Sequence, residues 1–153
     1  MNTVLAPSSG AVLAFDVGRK LIGVALGNRS TGNARALTTI NASGAIDWAA
    51  IDKLVREWQP QAFVVGLPLA LDGAEQAMTG VARRFGSELD SRYARPVHEV
   101  DERHTSQEAS RRFAEQRAQG TARRKHAAAI DALAAQIILE AWLASPTDNR
   151  ETS

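Results

Sequence analysis

The chain has 153 residues, 44% hydrophobic and 23% charged, the proportions of one soluble globular domain with a real core. It contains no cysteine, which excludes disulfides, thiolate nucleophiles and Cys-ligated zinc together. The net charge of +1 does not advertise a nucleic-acid binder. No apolar run approaches the roughly 20 residues of a bilayer span, and the N-terminus lacks a secretory signal, so a cytoplasmic location is expected.

Residues 1–10 read as a flexible, small-residue leader. Ala11 to Asp16 reads as a strand and Leu21 to Gly27 as its hairpin partner. Arg35 to Ile40 follows as a third strand, after the turn-rich Asn28-Arg-Ser-Thr-Gly-Asn33. Helical spacing through Ile46, Ala50, Leu54 and Trp58 predicts a helix that Pro60 stops. Ala62 to Leu67 is continuously apolar, the mark of a strand buried on both faces. Asp72-Gly-Ala-Glu75 has the spacing of a capping box and predicts a helix running to about Asp90. Pro96 to Val100 reads as a fifth strand. Thr105-Ser-Gln-Glu108 is a second capping box, opening a helix to about Gly120. A last helix is predicted from His126 to Leu143, and residues 145–153 form a polar tail expected to be disordered. Three meandering strands followed by βα units make one α/β domain over residues 11–144, a mixed sheet with helices on both faces.

Three carboxylates stand where structure alone does not demand them. Asp16 ends strand 1, and Asp101-Glu102 ends strand 5. Strands 1, 4 and 5 should be parallel, so these residues share the sheet edge where open α/β sheets bind ligands. With strand 4 between them, two steps of roughly 4.8 Å separate their backbones. That is too far for two Asp side chains, but a Glu could reach back over Gly66, which leaves room. Because strand residues alternate faces, Asp101 and Glu102 should not both enter the site, and Asp101 reads as a turn residue. Asp131 lies in line with Ala135, Ile138 and Trp142 on an inward-packing helix face. A carboxylate there is costly unless paired or bound to a metal, although a contact with the helix N-terminus is the simpler alternative.

Arg123-Arg124-Lys125 precede that helix, where positive charge opposes the macrodipole and so does not serve the helix. With Arg19, Lys20 and Arg103 they would ring the acidic centre and hold a phosphate backbone. Arg83-Arg84 and Arg111-Arg112 are further cationic pairs, which read as ordinary solvated helix faces. All-oxygen ligands suit Mg²⁺ or Mn²⁺, and two such ions about 3.5–4 Å apart can activate a water and stabilise a leaving oxygen. His98, His104 and His126 do not form a cluster.

The segments Asp16-x-Gly18-x-x-x-Ile22-Gly23, Thr31-Gly32-x-Ala34, Val65-Gly66-Leu67-Pro68-Leu69-x-x-Asp72-Gly73, Asp101-Glu102-Arg103 and Asp131-x-x-Ala134-Ala135-x-x-Ile138-Leu139 occur in this order. Together they resemble the bacterial YqgF (RuvX) family, relatives of the Holliday-junction resolvase RuvC within the RNase H-like superfamily. The resemblance covers Ala11 to Leu143. It implies strand order 3-2-1-4-5, and it implies that Asp16, Glu102 and Asp131 carry the catalytic and metal-binding acidic roles. It further implies a nuclease trimming the 5′ end of pre-16S ribosomal RNA, with junction resolution as the older alternative. Partners would then be structured RNA, branched DNA and ribosomal precursor particles, with no membrane, the protein being a monomer or weak dimer. The lead-in Lys125-His126-Ala-Ala-Ala-Ile130 departs from the family pattern, as does Ala132, where a small polar residue is usual.

Two other readings compete. Actin-like and sugar-kinase-like ATPases use a similar strand-1 hairpin, but they need two facing domains and this chain has one. A non-catalytic RNA- or ribosome-binding module is the other, and three intact carboxylates argue against it.

Overall fold

The computed structural model describes residues 10–102, 111, 112, 115 and 127–145. The leader (residues 1–9), most of the 105–120 segment and the tail beyond 145 lie outside the described residues, as do Arg103, His104, Arg123, Arg124, Lys125 and His126.

Strand β1 (Ala11–Val17) pairs antiparallel with β2 (Leu21–Asn28), which pairs antiparallel with β3 (Asn33–Asn41). On its other side β1 pairs in parallel with β4 (Ala62–Leu67), and β4 pairs in parallel with β5 (Val97–Asp101). The sheet order is therefore β3-β2-β1-β4-β5, the 3-2-1-4-5 order that the family resemblance implies. Helix α1 (Trp48–Trp58) and helix α2 (Ala77–Tyr93) follow β3 and β4, and α3 (Ala127–Ala144) closes the described chain. Among the described residues no helix is long and apolar enough to cross a membrane.

The period-two alternation of the strands divides the core between the two sheet faces. Leu13, Phe15, Val17, Val24, Phe63 and Val65 share one cluster with Ile51 and Val55 of α1 and with Ala82, Phe85 and Leu89 of α2. Val12, Ala14, Ala25 and Val64 form the opposite cluster with Ala135, Ile138, Leu139 and Trp142 of α3. The stripe Ala135, Ile138, Trp142 is thus inward-facing, as its spacing predicts. Each large side chain buried here contributes about 1.5–3 kcal/mol relative to exposure. Across the first face, Trp48 stacks on Phe85 with ring centroids 5.3 Å apart, and the Tyr93 hydroxyl donates to Asp52, joining α2 to α1.

Two helix starts differ from the sequence reading. Helix α1 begins at Trp48, two residues after Ile46, because the Asp47 carboxylate accepts from Ala50 N at 3.1 Å and caps it. Helix α2 begins at Ala77 and runs to Tyr93, so Asp72-Gly-Ala-Glu75 does not start it. Asp72 Oδ1 instead accepts from Ala74 N at 2.9 Å, and Gly73 takes φ +90°, which closes a turn rather than a helix. Leu69 bridges to Glu75 across that turn. The fully buried Thr79 anchors it: its hydroxyl accepts from Gln76 N at 2.9 Å and donates to Pro68 O at 2.5 Å.

Candidate active site

The alternation that builds the core also selects the face on which the acidic residues fall. Val12, Ala14 and Asp16 alternate along β1 on the α3 side, as do Val64 and Gly66 along β4. On β5 the same side carries Val100, and Glu102 follows one residue beyond the strand. Glu102 N donates to Leu67 O at 3.1 Å, which extends the ladder by one bond and fixes the direction of the side chain.

That side chain turns back over β4. A Cβ on Gly66 would lie 2.4 Å from Glu102 Oε1 and 3.0 Å from its Cδ, so the carboxyl group fills the space that glycine leaves. The reach ends at Asp16, with which Glu102 shares a side-chain hydrogen bond. Glu102 is only 7% exposed, and its Oε1 has no hydrogen-bond partner. A buried carboxylate oxygen without a donor costs folding free energy, so its retention calls for an explanation.

Asp131 reaches the same edge through a second glycine. Gly23 is the register partner of Asp16, and a Cβ at Gly23 would lie 1.9 Å from the Asp131 carbonyl oxygen. The α3 backbone therefore rests on β2 beside Asp16, and the Asp131 charge acts on Asp16. Among the described residues no three His, Asp or Glu side chains form a closed metal-binding group. Asp16 and Glu102 are in contact, while Asp131, half-buried, flanks Asp16.

The electrostatics follow from burial and mutual repulsion. Burial, chiefly, pushes the Asp16 carboxyl up to about 6; the hydrogen bond with Glu102 lowers it and the Asp131 charge raises it. Burial pushes Glu102 up to about 9, with the Asp16 charge, their hydrogen bond and the Asp101 charge adding to it. Burial also raises Asp131. In the metal-free protein Glu102 is then the protonated partner and donates to the Asp16 carboxylate. This is the arrangement two close carboxylates adopt when no cation neutralises them.

Asp101 is exposed and pairs in register with Leu67, whereas Glu102 is buried. Arg19 and Lys20 are exposed in the β1–β2 turn, at the sheet edge where Asp16 stands. Gly18 N donating to Leu21 O at 3.0 Å closes that turn. Three members of the two other cationic pairs are engaged elsewhere. Arg83 pairs with Glu75, Arg111 with Glu115 at 2.5 Å, and Arg112 with Glu140 at 3.1 Å. His98 packs against Trp142, ring centroids 5.0 Å apart. Sequence reasoning quoted Gly23 within the first family segment but did not find it as the contact point for α3, which only the fold brings to it.

Comparisons with known proteins agree with this architecture. A family model described as "RuvX: Holliday junction resolvase" matches residues 10–145. A protein of Xanthomonas euvesicatoria pv. vesicatoria named "Putative pre-16S rRNA nuclease" is 48% identical over 138 residues, covering 90% of this chain and 89% of its own. One of the same name from Xylella fastidiosa (strain M23) is 49% identical with the same coverage. The solved structure of Thermus thermophilus RuvC in complex with a Holliday junction substrate superposes with a TM-score of 0.51 at 17% identity. It spans 88% of this chain and 93% of RuvC, and so shares the fold. A match over nearly the whole chain, with relatives close to half identical, places this protein in the RuvX family.

Proposed function

We propose that the protein is a divalent-metal-dependent nuclease, a hydrolase acting on ester bonds, that processes the 5′ end of pre-16S rRNA in the cytoplasm. The observation that carries this reading is the Glu102 carboxyl group, buried over Gly66 against Asp16 with one oxygen unpartnered. A donor set made only of carboxylate oxygens suits a hard cation such as Mg²⁺ or Mn²⁺. Asp16 and Glu102 would hold it between them, with Asp131 completing the set from α3. When bound, two such ions would supply Lewis-acid activation of a water and stabilisation of the leaving oxygen. Glu102 would give up the proton it shares with Asp16 on binding, since both must be ionised to act as ligands. Arg19 and Lys20, with Arg103, Arg123, Arg124 and Lys125, would hold the phosphate backbone against the acidic edge. The names of the relatives support pre-16S rRNA as the substrate.

A non-catalytic RNA- or ribosome-binding module is the second reading, favoured by the absence of a closed three-carboxylate group among the described residues. One experiment separates them. The purified protein is incubated with pre-16S leader RNA, four-way DNA junctions and single strands, in Mg²⁺, Mn²⁺ or EDTA. Metal-dependent cleavage of the leader RNA is expected. Cleavage confined to DNA junctions would favour a resolvase, and RNA binding with no cleavage in either metal would favour the binding module.

A further inference from the structure

A cavity of about 310 Å³ opens at the end of the sheet opposite the carboxylates. It lies at the start of β1, the end of β2 and the start of β3, and the Trp58 indole closes it from the C-terminus of α1. Ala11, Leu26 and Ala34 give it an apolar floor; Asn28, Asn33 and Arg35 stand at its rim. Its volume is at the lower end of the range for small-molecule pockets and matches a ring system better than a peptide helix.

The chemistry of the lining is selective. The Arg35 guanidinium lies over the Trp58 ring, 5.5 Å from its centroid. Arg35 is exposed, and among the described residues no carboxylate pairs with it; none lines the cavity either. Asn28 Oδ1 is occupied by Ser30 N at 2.8 Å and Thr31 N at 3.3 Å, leaving its amide NH₂ as a donor. Asn33 is exposed and brings both a donor and an acceptor. A second guanidinium, that of Arg29, lies over Trp142 at 5.5 Å on the other side of the same β2–β3 turn. An aromatic face, a cation free to turn outward and amide groups around a small apolar floor are what a nucleobase with its phosphate requires.

We propose that this pocket holds one unpaired nucleobase of an RNA strand, stacked on Trp58, with its edge at Asn28 and Asn33 and its phosphate on Arg35. The proposal rests on the reading of an RNA substrate, but the pocket is separate from the metal site. Ala11 and Asp16 are the two ends of the relevant span, five residues apart on β1, or roughly 17 Å. A strand cut at the acidic edge would therefore be held a few nucleotides from the cut, which favours substrates with a single-stranded segment beside helical structure.

The test measures binding in EDTA, so that it does not depend on cleavage. A short single-stranded oligoribonucleotide, its abasic counterpart and AMP are titrated into the full-length protein by calorimetry. Indole NMR signals identify the tryptophan that responds. The base-bearing strand should shift the Trp58 indole signal and leave that of Trp48 in place. Trp58→Ala should weaken binding about 5- to 150-fold, the usual range for loss of one stacked base. Trp58→Phe, which keeps an aromatic face and the fold, should retain most of the affinity, and Arg35→Ala should lower the log–log salt slope by about one. Equal affinity for the base-bearing and abasic strands would overturn the proposal, as would an unperturbed Trp58 signal. AMP binding as tightly as the strand would overturn the assignment to RNA. Wild-type protein that shows this binding but cleaves no RNA or DNA in Mg²⁺ or Mn²⁺ would count against the nuclease reading alone.

Discussion

Gly23 and Asp131 meet backbone to backbone: a Cβ on Gly23 would fall 1.9 Å from the Asp131 carbonyl oxygen. No rotamer change relieves such a contact, so any side chain at position 23 must push α3 away from β2. Gly23→Ala should therefore destabilise the protein by about 1–3 kcal/mol, the cost of forcing extra volume into a packed interior. It should also reduce cleavage by moving Asp131 away from Asp16. Urea denaturation with a parallel cleavage assay checks both; a wild-type midpoint would show that α3 does not rest on this glycine.

Gly66→Ala should behave differently. Its Cβ would meet the Glu102 carboxylate at 2.4 Å and the Ile138 methyl at 2.5 Å, both ends of side chains that can give way. Stability should fall less than in Gly23→Ala, while activity is lost because Glu102 can no longer lie over β4. Glu102→Gln should also be inactive and Asp101→Ala should keep most activity. The reverse result would place the third ligand at Asp101.

Asp16→Asn and Asp131→Asn should each abolish metal-dependent cleavage with the fold intact, since each removes a charged ligand. In the metal-free protein Asp16→Asn should melt at or above the wild-type temperature, because the buried Asp16 charge and its repulsion with Asp131 are removed. Near wild-type turnover in either variant would end the assignment of these carboxylates.

The metal-free protein should lose stability as pH rises. Asp16 and Glu102 both have folded-state values above their ordinary ones, 3.8 to about 6 and 4.5 to about 9. The folded state thus binds more protons than the unfolded state between these limits. Stability is full below about pH 4 and falls as pH rises towards 9, by at most ~1.4 kcal/mol per pH unit for each such group. Melting temperatures from pH 5 to 9 check this. Mg²⁺ or Mn²⁺ should raise the melting temperature more at pH 8 than at pH 5, and Glu102→Gln should flatten the profile. A metal-free profile that rises with pH would contradict the proton shared between Asp16 and Glu102.

Neutralising Arg123, Arg124 and Lys125 together should weaken RNA binding and reduce its salt dependence. Each lost phosphate contact should lower the log–log slope by up to about one. An unchanged slope would mark the cluster as a solvated helix entry.

Much of the frame could be read from the chain. Ala62 to Leu67 is apolar throughout because β4 lies between β1 and β5 with a helical layer on each face, and all six residues are buried. The reach of Glu102 over Gly66 was legible too, because strand spacing sets the distance and glycine sets the clearance. Asp72 was not. The Asp-x-x-Glu spacing that caps a helix also fits an Asx turn, and the positive φ of Gly73 decides between them only in three dimensions. The contact at Gly23 was not legible for a related reason: it depends on which helix crosses the glycine, and the helix comes from the far end of the chain. Spacing also cannot say how three like charges settle without a cation, and only two of them come into contact.

The acidic edge draws on positions 16, 102 and 131, so its last member belongs to the final described helix. Contacts this distant in sequence form late, after the intervening loops have closed. During synthesis the first strand leaves the ribosome well before α3 exists, and domains fold as units as they emerge. On the proposed reading, a nascent chain would display Asp16 before α3 could bring Asp131 beside it, so the acidic edge would be complete only when the whole domain has been made. For an enzyme whose proposed substrate is the precursor of ribosomal RNA itself, this delay separates the making of the protein from its action on the particles around it.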